Sequence, residues 1–243
     1  MNEIIENKLR VGNFTSSEIW KLTKSNRKGD DFGAPALTYI NQKKRERKMK
    51  RSLSTGFYSR DTAWGTFLEQ RVFDLIGLEY QMRSDATAHH PTVKGWAGSP
   101  DVIVPSVKIS DIKCYAPDNF SKYADVIEQK DIELLKAEFE KEYWQLVSNA
   151  AINEVPKAEV ILYMPYKSEL PEIQEMAINY DGADAWKYRF IYESEWYELP
   201  ILPDESDYKN LNIFEFEVPK SDIEFLKERV EKANKLIEDE TTN

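Results

Sequence analysis

The stretch Gly98-Ser-Pro-Asp-Val-Ile-Val-Pro-Ser-Val-Lys-Ile-Ser-Asp-Ile-Lys113 decides how the rest of this chain is read. Two runs rich in strand-forming residues, Asp101 to Val104 and Val107 to Tyr115, flank Pro105 and Ser106, which spells a β-hairpin. Side chains alternate along a strand, so Ile109, Asp111, Lys113 and Tyr115 share one face, and Lys108, Ser110, Ile112 and Cys114 the other. A two-residue loop sets Asp101 opposite Ser110, whereas a three-residue loop or a bulge sets it opposite Asp111. In the second register the two carboxylates have Cβ atoms roughly 5 Å apart. Their like charges then disfavour joint ionisation unless a cation lies between them. Hard oxygen ligands at that spacing suit magnesium. A hairpin that merely carries surface charge is the competing reading.

Upstream, Arg60 to Ile76 has the pattern of a long helix, with Asp61 or Thr62 as its cap and Gly77 as its stop. Glu69 falls inside the stripe formed by Trp64, Phe67, Leu68, Val72 and Phe73, where a carboxylate needs a partner, either a salt bridge or a metal. Gly65, one turn earlier, leaves room for another backbone or a ligand. Downstream, Pro117-Asp118-Asn119 reads as loop, Lys130 to Ile152 as a helix with Gln145 in its apolar half, and Glu159 to Met164 as a buried strand. Gln145 suits either a backbone hydrogen bond or a role at a phosphate or water. Leu170 to Asn179 reads as a short helix. Trp186 to Ile191 with Trp196 to Ile201 reads as an aromatic hairpin, and Ser221 to about Glu238 as an amphipathic helix opened by a Ser221/Glu224 capping box.

Thr15, Ser16 and Ser17 precede Glu18-Ile19-Trp20-Lys21-Leu22 and fit the cap of a short helix, an arrangement that also suits an anion, with Arg10 nearby in sequence. His89 and His90 are adjacent, point in different directions and make a poor metal pair. The single cysteine, Cys114, excludes an internal disulfide and any four-cysteine metal site. With no apolar run of membrane-spanning length and no export signal, the expectation is a cytoplasmic protein without membrane contact. The 243 residues suffice for one domain. The net charge of -10 is unevenly spread: residues 1–60 hold 14 Lys or Arg against 6 Asp or Glu, while the remainder holds 19 against 37. The basic excess concentrates between Lys43 and Arg51, as a solvated helix face or as a surface for a polyanion.

Four ordered blocks now carry a resemblance: Leu9 to Glu18 (Leu-Arg-x-Gly-x-x-Thr-x-Ser-Glu), Ala63 to Glu69 (Ala-Trp-Gly-x-x-x-Glu), Ser99-Pro100-Asp101, and Asp111-Ile112-Lys113-Cys114, followed by Gln145. Together they resemble the PD-(D/E)xK nuclease superfamily, and more narrowly the lambda exonuclease and YqaJ-type viral recombinase group, over about residues 8 to 165. The resemblance implies an α/β, restriction-endonuclease-like core, a central mixed β-sheet flanked by α-helices. Within a single domain, residues 1–60 would form a basic DNA-contacting arm, 61–165 the catalytic core and 166–243 an elaboration. It implies that Asp101, Asp111 and the Ile112 carbonyl bind Mg2+, with Mn2+ as a substitute, and that Glu69 helps. Lys113 would orient or deprotonate the attacking water and Gln145 would position it, while Arg10, Ser17 and Ser99 would hold a terminal 5′-phosphate. Asp111 departs from the narrower group, which usually has Glu there.

The activity so implied is 5′→3′ digestion of one strand of linear duplex DNA, leaving a 3′ single strand for recombination. The implied partners are a ring-shaped homotrimer's other copies and a single-strand annealing protein, in a phage or prophage setting. The alternatives are a PD-(D/E)xK endonuclease, of restriction or structure-specific type, and a non-catalytic DNA-end binding protein.

Overall fold

The computed structural model describes residues 8–29, 31–53, 58–83 and 87–239. Parts of the expected basic arm, residues 1–7, 30 and 54–57, lie outside the described residues. In chain order the elements are β1 (Phe14–Thr15), a 3-10 helix (Ser16–Thr23), α1 (Ala34–Met49), α2 (Arg60–Leu75), β2 (Gln81–Met82), β3 (Ala88–His89), β4 (Trp96–Gly98), β5 (Val102–Val104) and β6 (Lys108–Lys113). There follow α3 (Pro117–Gln129), α4 (Ile132–Glu138), α5 (Glu140–Ile152), β7 (Lys157–Tyr163), α6 (Leu170–Asn179), α7 (Arg189–Glu193), β8 (Leu211–Glu217) and α8 (Lys220–Asp239).

A five-stranded sheet of order β2-β5-β6-β7-β8 forms the centre, and a smaller one of order β1-β4-β3 lies beside it. The pairing is mixed: β5 and β6 run antiparallel, β6 and β7 parallel, β7 and β8 antiparallel. The parallel pair requires a crossover, and α3, α4 and α5 supply it. Alternation along β6 and β7 sends Ile109, Ala158, Val160 and Leu162 into a core with α3, α5 and α8. Ile112, Ile161 and Tyr163 enter a second core with α2, α6 and the segment 188–201. Both faces of the sheet are therefore covered by helices, which is why its central strands carry apolar residues on both sides.

Several elements differ from expectation. Pro117 begins α3 instead of a loop, because proline is tolerated at the first helical position. The helix expected over 130–152 breaks at Phe139 (φ -126, ψ 51), whose ring turns into the core against Tyr123. The aromatic hairpin is absent: 185–188, 189–193 and 196–198 are short helices, because Tyr188 and Ile191 at helical spacing fill the core under α2. The strand β8 was not foreseen, although Phe214 and Phe216 alternate with exposed Ile213 and Glu215. Ser59 caps α2 in a capping box with Thr62, and the helix ends at Leu75, before Gly77. Lys220 starts α8, so Ser221 lies inside the first turn. No described helix is long and apolar enough to cross a membrane.

On the second face of the sheet a buried polar network pins β6 to its neighbours. Glu159, 2% exposed, accepts hydrogen bonds from Tyr80 (2.8 Å), Ser110 (2.7 Å) and Lys108 (2.6 Å). Lys108 also bonds to Glu215 at 3.0 Å. Breaking one partner of a buried pair strands the other, so Glu159→Ala should cost about 3–5 kcal/mol of unfolding free energy. Lys122→Ala, which removes an exposed pair with Asp118, should leave the unfolding midpoint nearly unchanged. Urea denaturation of the three proteins checks both outcomes.

Candidate active site

The hairpin adopts the three-residue turn. Val104 accepts the Val107 N–H at 3.0 Å, and Ser106 takes a left-handed φ of 61°. Val102 pairs with Ser110 and Val104 with Lys108, so the next step of the register sets Asp101 opposite Asp111. Asp101 Oδ2 accepts the Ile112 N–H at 2.7 Å, so a carboxylate satisfies a strand amide where the ladder ends. Asp111, on the next residue of β6, is fully buried. One of its oxygens accepts from Asn149 Nδ2 at 3.3 Å, and the other, Oδ2, has no hydrogen-bond partner. Lys113 Nζ lies 3.8 Å from that free oxygen.

The electrostatics follow from burial. Desolvation pushes the Asp111 carboxyl up to about 7; Lys113 opposes the shift and the neighbouring Asp101 charge adds to it. Desolvation likewise raises Asp101, against the pull of Lys113 and the Ile112 amide. Burial alone would lower Lys113, yet the carboxylates of Asp111, Asp101, Glu142 and Glu69 outweigh it and the ammonium is stabilised. Two like charges and one opposite charge thus share a site shielded from water.

Helix α5 forms the wall facing Asp111. Glu142, Gln145 and Asn149 stand at i, i+3 and i+7, one face of a helix. Glu142 accepts from Tyr115 OH at 3.0 Å, while Gln145 is half-buried between them. Sequence reasoning missed Glu142 and Asn149; the signal was their helical spacing from Gln145. Ser148 ties this helix to the neighbouring elements, bonding Ser16 at 2.8 Å and Trp96 Nε1 at 2.7 Å.

The third expected carboxylate comes from α2. Glu69 is half-buried on α2, where its charge acts on Lys113 and Cys114. Among the described residues no three His, Cys, Asp or Glu side chains converge closely enough to hold an ion, so Asp101 and Asp111 form a pair without it. Gly65 faces the Cys114 carbonyl at ordinary contact distance, so its lack of a side chain is not sterically demanded.

Thr15 gives no side-chain cap to the 3-10 helix, and the Ser16 hydroxyl turns inward to Ser148 instead. β1 runs parallel to β4 with Thr15 opposite Ala97, so Ser17 and Ser99 lie just beyond the ends of the same pair. Ser99 Oγ donates to the Arg83 carbonyl at 3.1 Å. Arg10 Nε is buried without a hydrogen-bond partner. Its loop is clamped by α1: Glu46 accepts the Gly12 N–H at 3.0 Å and Arg47 Nε donates to the Gly12 carbonyl at 2.8 Å. The basic run is therefore not one solvent face, since Lys43 pairs with buried Glu46 and Arg47 also bonds Asn234. His90 is structural: it stacks on Trp96 and accepts the Val93 amide at 3.1 Å.

A carboxyl whose folded pKa exceeds its unfolded value of 3.8 favours the protonated fold. The stability from Asp111 is thus fully present below that value and is lost as pH rises through about 7, and the raised Asp101 carboxyl acts in the same direction. The thermal midpoint of cation-stripped protein should fall between pH about 5 and about 8, and Asp111→Asn should flatten the profile. A profile of equal slope in both proteins would remove Asp111 as the cause.

No protein-family model and no curated protein matches this chain. Solved structures do. LHK-Exo in complex with dAMP superposes with TM-score 0.62 at 16% identity, covering 96% of this chain and 91% of that one. The alkaline exonuclease LHK-Exo from Laribacter hongkongensis gives 0.61 at 15% identity, with 95% and 90% covered. A phage related exonuclease from Haemophilus somnus 129PT gives 0.61 at 16% identity, with 95% of both chains covered. Over nearly its whole length, this chain has the restriction-endonuclease-like α/β fold of these exonucleases.

Proposed function

We propose that this chain is a divalent-cation-dependent exodeoxyribonuclease that degrades one strand of linear duplex DNA from its 5′ end. The observation that carries the reading is the convergence of Asp101, Asp111 and Lys113 at the end of one hairpin, with Asp111 Oδ2 buried and unpartnered. The fold supports it, as does one structural neighbour's complex with dAMP, a single deoxynucleotide of the kind an exonuclease releases.

The residues fit a hard cation such as Mg2+. Two carboxyls of raised pKa, Asp111 buried and Asp101 half-buried, face each other, and each would lose its ionisation cost beside a positive charge. Asp101 and Asp111 would hold the ion, with the Ile112 carbonyl and Glu69 as further candidates. When bound it supplies Lewis-acid polarisation of the phosphate and a more acidic water. Lys113, held as an ammonium by four carboxylates, orients the attacking water and offsets charge developing on the phosphorane. Gln145 presents its amide on the same wall. Arg10 with Ser17 and Ser99 takes the terminal 5′-phosphate through charge-assisted hydrogen bonds. On this reading the product is a 3′ single strand for an annealing partner in recombination, and a homotrimeric ring encloses the duplex.

Strand-by-strand digestion of linear duplexes with and without a 5′-phosphate, in Mg2+, tests the proposal; cleavage of covalently closed circles would instead establish an endonuclease. Lys113→Ala should lower hydrolysis by about a hundredfold or more while DNA affinity changes little. Arg10→Ala should lose at least about tenfold on phosphorylated ends, the equivalent of roughly 1.5–3 kcal/mol, and much less on hydroxyl ends. Equal losses on both ends would make Arg10 an ordinary backbone contact.

A further inference from the structure

We propose that Asn149 is the positioning residue that decides which oxygen of Asp111 faces the reaction. The inference rests on the nuclease reading, in which Asp111 holds a divalent cation.

Asn149 is fully buried on α5, and so is Asp111 on β6. The Asn149 amide donates to Asp111 Oδ1 at 3.3 Å, and Oδ1 of the carboxylate is thereby occupied. Asp111 Oδ2 has no hydrogen-bond partner and is the oxygen that lies 3.8 Å from the Lys113 ammonium. Beside a cation Asp111 is ionised and can only accept, so the carboxamide then presents its NH2 to Oδ1 and leaves its own Oδ1 without a hydrogen-bond partner.

The carboxamide has little freedom to move. Its Oδ1 lies close against Gly98, where an added Cβ would collide with it and with Ser16 Oγ. The Asn149 backbone carbonyl meanwhile accepts the Asn153 N–H at 3.1 Å and the Asn153 side-chain amide at 2.8 Å, which fixes the end of α5 from which the side chain projects. A short carboxylate reaches a given point from fewer rotamers than a longer one, and a fixed donor on one oxygen removes the remaining rotation about its last bond. Asn149 therefore takes up one acceptor position of Oδ1 and presents Oδ2 on the side of Lys113.

Second partners of ligating carboxylates and imidazoles typically affect affinity by about 10–100-fold. The test measures Mn2+ binding by calorimetry on cation-stripped full-length protein, with the thermal midpoint recorded without cation. Asn149→Leu keeps the branched shape at a larger volume and removes the hydrogen bond; Asn149→Ser, smaller than the native side chain, serves if the leucine variant does not fold. Ser148→Ala is the control, because Ser148 is equally buried on the adjacent residue but bonds Ser16 and Trp96, not Asp111. The expected result is Mn2+ affinity weakened about tenfold or more by the Asn149 variant. In Ser148→Ala the midpoint should fall while affinity stays within about twofold. Affinity unchanged in the Asn149 variant, or reduced equally in both, would overturn the proposal while leaving the cation site intact. Wild-type protein that binds no Mn2+ would overturn the nuclease reading itself.

Discussion

The turn after Val104 is the constraint on which the site depends. With three residues between the strands, and Ser106 in a left-handed conformation, the ladder steps so that Asp101 meets Asp111. One residue fewer would rotate the pairing by one step and leave Asp111 without its counterpart. Everything proposed about the chemistry descends from this register. So does the orientation of Lys113, which shares a strand face with Asp111 because the side-chain period is two.

The two faces of the same strand show opposite electrostatic economies. On the face toward α2, Glu159, Lys108, Ser110 and Tyr80 satisfy one another, and the network locks β6 against β7 and β8. On the face toward α5, buried Asp111 and half-buried Asp101 share the Lys113 cation, and one oxygen of Asp111 has no hydrogen-bond partner. Buried polar groups are nearly always satisfied, so an exception beside a second raised carboxyl marks a place where the fold holds unrelieved charge. The closed network provides the rigidity against which the open one is maintained.

The acidic residue within the basic run has a comparable structural use. Glu46 and Arg47 together bind both peptide groups of Gly12, fixing the loop that carries Arg10 to the flank of α1. Lys44, Arg45, Lys48, Lys50 and Arg51 are left to face outward or partly so and can contribute to a positive surface. A helix that looks like one charged patch in composition is therefore divided, one side clamping a loop and the other exposed.

The sequence by itself determined the hairpin, the face shared by Asp111 and Lys113, the helices over 60–75, 170–179 and 220–239, and the nuclease-like order of motifs, because each is written in local periodicity, turn chemistry or spacing. It left open the loop length that pairs Asp101 with Asp111, since Pro105-Ser106-Val107 suits either register until the strands meet β7. The sequence misassigned 186–201, where aromatic alternation resembles a strand but the residues at helical spacing fill a cavity under α2. It placed Glu69 with the two aspartates, and in the fold the Glu69 charge acts on Lys113 and Cys114 together with that of Asp101. Helical spacing puts Glu142 and Asn149 on the face of Gln145, but only the tertiary structure shows that this face meets Asp111 and Tyr115, because contacts across a helix–sheet interface are set by what packs there.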